Sequence, residues 1–270
     1  MNNKIIVFTK PWKDQTIEEL ALLVKKMGFD GVELPVRDGY QVTPQNVVAE
    51  LCHAKKVFEK HGLFIGSVAG SLEADTINAM GAAEIPLLRV CIKIDMEKGY
   101  FASVADTQKK INDLKDVLIK NKVKVGIQNH HGFMVASALG IHQLLQGIPK
   151  EIAGAVLDFA HCGLDGEPTK MAYDIVKDNL LLINFKGAFK FRTNGPDEDE
   201  AQWQIHWATG RNSLYSWKEA VDLLKEKKWD SPICMPAEYN HIGSDGPIMG
   251  EETIARTVKD LVYLKSLMEE

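Results

Sequence analysis

Four cysteines, Cys52, Cys91, Cys162 and Cys234, are scattered singly along the chain, and no two have Cys-x-x-Cys spacing. That spacing excludes a disulfide framework or a thiolate zinc site as the basis of the fold, and the thiols read as reduced and mostly buried. No apolar run is long enough to span a bilayer. The N-terminal Met-Asn-Asn-Lys-Ile-Ile-Val-Phe-Thr-Lys holds an apolar stretch of strand length, not a signal-peptide core. A cytoplasmic protein with no membrane contact is therefore expected. Positive charge is not in excess: 32 Lys and Arg stand against 37 Asp and Glu, a formal net charge of −5. Non-specific nucleic-acid binding rests on a basic footprint, so nucleic acid is not an expected partner. No linker, low-complexity tract or internal repeat interrupts the chain.

What remains is an ordinary globular composition, 45% hydrophobic over 270 residues. That length fits one domain over residues 1–270 with a core large enough to need no structural metal. Its most informative stretch is Val123-Lys-Val-Gly-Ile-Gln-Asn-His-His131, where an alternating apolar run stops at four polar side chains. The same form recurs at Ala155-Val-Leu-Asp-Phe-Ala-His161, Leu181-Leu-Ile-Asn-Phe-Lys186 and Ile233-Cys-Met-Pro-Ala-Glu-Tyr-Asn240. Buried strands that end in polar groups, with helices between them, place those groups on one face of a parallel sheet or barrel.

Taken in order, strands are expected at residues 4–9, 31–34, 63–68, 87–92, 123–131, 153–158, 180–186 and 232–238. Amphipathic helices alternate with them at 16–27, 44–61, 73–84, 103–120, 137–146, 169–178, 216–227 and 251–268. Thr16 and Glu19 form a capping box at the first helix, and Gly28 and Gly62 follow the first two. Eight alternations predict a single closed (β/α)8 barrel with its site at the C-terminal strand ends. Residues 187–215, polar and aromatic with an acidic run at 197–200, read as a long loop ordered over that site.

These stretches resemble the xylose-isomerase-like barrel superfamily of sugar isomerases and epimerases, which also resembles the family-2 apurinic endonucleases. Gly28-Phe-Asp-Gly-Val-Glu-Leu34 is similar to its second-strand signature. Gln128-Asn-His130 stands at its Glu-Asn-His, Asp158-Phe-Ala-His161 at its Asp-x-x-His, and Asn184-Phe-Lys-Gly187 at its His-x-Lys-Asp. Gly210 through Ser216-Trp217 is similar to its loop before helix 7, and Glu238 to its terminal strand-8 Glu. The resemblance covers nearly the whole chain. It implies a divalent metal held by Glu, Asp, His and Glu, with the two Glu as paired acid and base. Here Gln128 and Asn184 replace two of those four, leaving Asp158 and Glu238 as metal ligands. The expectation is therefore no tightly bound cofactor, or a weakly held Mg2+ or Mn2+. The endonuclease branch is disfavoured, because its further zinc ligands are unmatched and the net charge is negative.

The resemblance implies a sugar or sugar-derivative isomerase or epimerase that abstracts a proton α to a carbonyl. The alternative is a barrel that binds a sugar or polyol without metal-dependent turnover. A small carbohydrate is the expected partner, and a homo-oligomer is compatible with the composition. Glu238 would be the general base, with His130 or Lys186 as acid or oxyanion stabiliser. Gln128, Asn184, His161, Glu33, Arg192 and Trp207 are the candidate substrate contacts. Structural alternatives stand beside these roles. Glu238 could form a buried salt bridge with Lys186 or Arg192, and Asp158 with His161 could order a loop. Trp207, with Trp203 and His206, could pack in a core and not wall a pocket. His130 and His131 are adjacent, so at most one is expected at the mouth.

Overall fold

The computed structural model describes residues 1–197, 200–244 and 246–270, so Glu198 and Asp199 of the acidic run lie outside the described residues. Eight parallel strands close into a barrel. They are β1 (Ile5–Phe8), β2 (Gly31–Pro35), β3 (Phe64–Ala69), β4 (Leu87–Cys91), β5 (Lys124–Gln128), β6 (Ala153–Asp158), β7 (Leu180–Asn184) and, after an insertion, β10 (Ile233–Met235), which pairs with β7 and β1. Helices α1 (Ile17–Met27), α2 (Val47–Lys60), α3 (Ala74–Ala82), α4 (Tyr100–Asp113), α5 (Lys115–Asn121), α6 (Ala138–Leu145), α7 (Phe159–Leu164), α8 (Thr169–Val176), α9 (Trp217–Glu226) and α10 (Glu251–Glu269) alternate with the strands. This is the (β/α)8 barrel that the apolar runs predict. No described helix is long and apolar enough to cross a membrane.

Side chains two apart along a strand share a face. Ile6, Phe8, Ala69, Leu87, Val156, Leu182 and Cys234 pack into one small cluster separate from the main core between strands and helices. Continuing the same period takes Val156 to Asp158 and Leu182 to Asn184, the last residues of their strands, and Lys186 and Glu238 lie just beyond β7 and β10. The polar ring thus sits directly above the apolar plug. The strand just before Glu238 ends early, because Ala237 adopts a left-handed backbone with φ of 53°. A non-glycine residue holds that conformation at a cost of about 1–2 kcal/mol, the kind of local strain found where a side chain must be re-aimed.

The outer shell follows its caps. Thr16 accepts from the Glu19 backbone while Glu19 Oε2 accepts from the Thr16 backbone at 2.8 Å, and Gly28 closes α1 at φ 91°. The helix expected over 103–120 is two. Asn112 and Asp113 are poor helix formers, and the Leu114 N–H reaches both Lys110 and Ile111, tightening the turn between α4 and α5.

The larger departure is at 187–215, expected as a loop. It is an antiparallel hairpin, β8 (Gly187–Arg192) with β9 (Trp203–Ala208), paired from Gly187–Ala208 at its root to Arg192–Trp203 at its tip. Phe189 and Phe191, and Trp203, Ile205 and Trp207, alternate with polar residues at a period of two. That is a strand signal inside what reads as a loop. At the root, a Cβ on Gly187 would lie 2.5 Å from the Thr209 carbonyl oxygen, so only glycine lets the two strands close there.

Candidate active site

A cavity of about 470 Å³ opens at the C-terminal ends of the strands, and Gln128, His130, Asn184, Lys186 and Glu238 line it. A second, mostly apolar cavity of about 410 Å³ lies at the opposite end, among Phe64, Leu87, Leu181, Leu182 and Pro232. Within its charged lining Lys55 pairs with Glu59 and Glu84, and the N-terminal face of such barrels serves stability.

Asp158 anchors the first site from below. Its Oδ1 caps α7 by accepting from the Ala160 and His161 backbone, and its Oδ2 accepts from Gln128 Nε2 at 2.9 Å. Asn129 clamps the same residue, accepting from the Asp158 N–H at 2.8 Å and donating to its carbonyl at 3.1 Å. Burial pushes the Asp158 carboxyl up, and Lys186 partly opposes this. Lys186 Nζ lies 3.5 Å from Asp158 Oδ2 and 2.8 Å from Glu238 Oε2. Burial opposes the charge on Lys186, but Asp158 and Glu238 outweigh it and hold its pKa above the ordinary value. Lys10, on the turn after β1, donates to the other oxygen of Glu238 at 2.7 Å. Burial alone would raise Glu238, yet Lys186 and Lys10 hold it well below the usual carboxylate range.

The four strand-end groups therefore meet, but around an ammonium. A divalent ion fits this set poorly. Gln128 turns its donor towards Asp158, and both carboxylates that would ligate an ion are engaged by Lys186. An added ion would face two lysine charges. Asn184 lines the cavity with both amide atoms buried and unpartnered, a donor and an acceptor aimed at open space.

His130 and His131 were expected on opposite sides, but both rings sit at the mouth. The strand ends at Gln128, so its alternation no longer governs them. His130 packs against His161, tilted by 36° with 4.2 Å between ring centroids, and stacks on His131 at 4.8 Å. These three are the described group whose ligand-type nitrogens come within 4.8 Å of one another. His131 also stacks on His161, with 5.2 Å between their ring centroids. Burial first, and Lys186 beside them, push His130 to about 4 and His161 well below its ordinary value. The imidazoles are thus neutral at pH 7. His130 Nδ1 lies 3.0 Å from the His131 carbonyl, which makes that nitrogen the donor and leaves Nε2 with the lone pair.

The hairpin covers this ring. Trp207 lies over Lys186 with the ammonium 4.4 Å from the indole centroid, and within 5.5 Å of both His131 and His161. Asn240 ties the hairpin down, accepting from the Trp207 N–H at 2.8 Å. Four residues expected at the pocket fall elsewhere. Arg192 sits at the hairpin tip, where Nε donates to Asn194 at 3.1 Å, and does not line the mouth cavity. Trp203 is 61% exposed at the same tip, and His206 turns from the mouth to pack on Phe189. Glu33 is fully buried beneath Arg89, whose guanidinium grips both its oxygens, while Ser67 donates at 2.9 Å. Glu33 thus holds Arg89, and Arg89 lines the cavity in its place.

Lys10 and Arg89 were not anticipated as site residues. A lone arginine in the apolar run Leu-Leu-Arg-Val-Cys was the available signal for one. A lysine two residues beyond the first strand was the signal for the other.

The family model of the xylose isomerase-like TIM barrel matches residues 21–265. No curated protein matches the chain in sequence. Solved structures share its fold at low identity. A D-psicose 3-epimerase from Clostridium cellulolyticum H10 is 11% identical with a TM-score of 0.73, covering 98% of this chain and 99% of its own. A 3-keto-D-glucoside 4-epimerase from E. coli is 11% identical at TM-score 0.71, covering 98% and 100%. A mannonate dehydratase from Streptococcus suis serotype 2 is 14% identical at TM-score 0.69, covering 99% and 92%.

Proposed function

Because the chain belongs to the xylose isomerase-like TIM barrel family, we propose that it is a sugar isomerase working through an enediolate with Glu238 as base and Lys186 as the electrophile. The observation that carries this reading is the Lys186–Glu238 pair, 2.8 Å apart at the cavity floor. Epimerase folds among its structural neighbours support a carbohydrate substrate.

Resting Glu238 is fully ionised but weakly basic, since each oxygen accepts from a lysine. A substrate carbonyl that draws Lys186 towards its own oxygen frees one of those oxygens and restores basicity. Glu238 then takes the proton from the carbon α to the carbonyl. The C–H electron pair becomes the new C=C bond, and the carbonyl π pair moves onto oxygen as an enediolate held by the Lys186 ammonium. Lys186 gives a proton to that oxygen and takes one from the neighbouring hydroxyl; protonated Glu238 then returns its proton to the former carbonyl carbon on the same face, and the electron pair left on the second oxygen reforms the carbonyl one carbon along. Inversion at one carbon needs a second base on the opposite face. Gln128, bonded to Asp158, cannot be that base, so the reading favours aldose–ketose isomerisation over epimerisation. Asn184 would bind substrate hydroxyls through its free donor and acceptor. Trp207 and the neutral histidines would exclude water above Lys186.

The test is incubation with aldoses and ketoses in D2O. Deuterium should enter at the carbon next to the carbonyl, and Glu238→Gln should abolish it. Lys186→Met should slow it by about 10²–10³-fold, the usual effect of removing one oxyanion donor. Sugar binding without any exchange would replace this reading by the non-catalytic carbohydrate-binding barrel.

A further inference from the structure

The mouth of the barrel is basic although the chain is acidic overall. Lys10, Arg37, Arg89, Lys93 and Lys186 line one cavity, and Glu238 is its one carboxylate among the described residues. Counting the buried Glu33 and Asp158 that touch those cations, five positive charges meet three negative ones. The three carboxylates are committed to Arg89, Lys186 and Lys10. Arg37 and Lys93 form no ion pair among the described residues.

Arg37 is half-buried and lies 5.5 Å from the Phe8 ring centroid, while Arg89 lies 4.7 Å from the same ring. Burial and the neighbouring Arg89 push the Arg37 pKa down. Two guanidiniums held beside one ring, only one of them neutralised, repel each other unless an anion joins them. Arg37 as a mere packing residue on Phe8 would leave that repulsion unanswered.

The ring order places these groups. Arg37, Ser71 and Lys93 follow β2, β3 and β4, which are consecutive in the barrel. Asn184 ends β7 and Lys186 follows it, four places from β3 around the ring, while Glu238 follows β10, two places from β2. One ligand can therefore reach both groups across the mouth.

We propose that the substrate is an anionic sugar, whose carboxylate or phosphate docks on Arg37, Lys93 and Ser71 while its carbonyl faces Lys186 and Glu238. The proposal rests on the isomerase reading for the reacting end, and not for the anion end. Planar guanidinium and ammonium donors recognise either oxyanion, and the test separates the two.

The experiment compares D-fructose, D-fructose 6-phosphate and D-fructuronate by calorimetry and by deuterium exchange in the same samples. At least one anionic member should bind about tenfold or more tightly than D-fructose, and which one does so identifies the anion. Arg37→Met should remove most of that advantage and leave D-fructose affinity unchanged. Equal binding of all three, or a variant that weakens all three alike, overturns the proposal. Failure of both anions and of inorganic phosphate to bind overturns it as well. Anion binding without exchange sinks the isomerase reading and leaves the anion site standing, whereas exchange with D-fructose alone does the reverse. If Arg37→Met does not fold, Lys93→Met and the wild-type comparison at low and high salt decide. The preference for the anion should shrink as salt rises, and a salt-independent preference counts against it.

Discussion

Glu33 has no exposed surface, and its charge is matched by Arg89 and a hydroxyl from Ser67. Breaking a buried pair by removing one partner leaves an uncompensated charge, at about 3–5 kcal/mol. Arg89→Met should therefore lower the unfolding free energy by about that amount in urea titration, and Glu33→Leu with Arg89→Met should recover much of it. Lys55 and Glu84 form an equally close pair, but the Glu84 side chain is 81% exposed. Removing that pair should leave the urea midpoint close to that of the wild type, because solvent screens an exposed pair. A loss of similar size at both sites would show that burial is not what separates them. At this scale the sequence is legible where a polar residue stops an apolar run. Gln128, Asp158, Asn184, Lys186 and Glu238 all announce themselves so. Glu33 does too, but its partner lies 56 residues away in the chain. No local pattern tells a carboxylate that faces substrate from one that faces an arginine.

Asp260 on α10 joins elements that are distant in sequence. Its Oδ1 accepts from the Gly210 N–H at 2.9 Å, just past the hairpin, and its Oδ2 from the Tyr239 hydroxyl at 3.0 Å, next to Glu238. Burial pushes its pKa from 3.8 up to about 6, against the pull of those two donors. Between these values the folded chain keeps a proton that the unfolded chain has released. The stabilising contribution is thus complete below about pH 4 and lost as pH rises through about 6, a span of up to about 3 kcal/mol. Asp260→Asn cannot ionise, so its melting temperature should fall less than that of the wild type between pH 5 and pH 8. Parallel melting curves for the two proteins would refute the shift. His130 and His131, pushed down to about 4, act in the opposite sense as pH falls, but equally in both proteins. At this scale the barrel strands and α1 follow from periodicity and caps. The hairpin does not. Its polar flanks and length resemble a loop, and only its period of two marks β8 and β9. Likewise the partnership of three histidines comes from a chain that has left its strand, where alternation no longer applies.

For the molecule as a whole, eight strand ends deliver their side chains to one small volume, and the balance of charge there decides what else can enter. With Lys186 between Asp158 and Glu238, the proposed reaction needs no divalent ion. Dialysis against EDTA should leave both turnover and the melting temperature unchanged. A loss restored by Mg2+ or Mn2+ would show that Lys186 yields its place to an ion. On this reading the positive centre is covalently part of the polypeptide. It arrives with translation and is positioned by folding, so maturation has no loading step. It cannot be exchanged for a competing ion of the wrong kind or be withheld when trace elements run short. Only a change in the coding sequence can remove it.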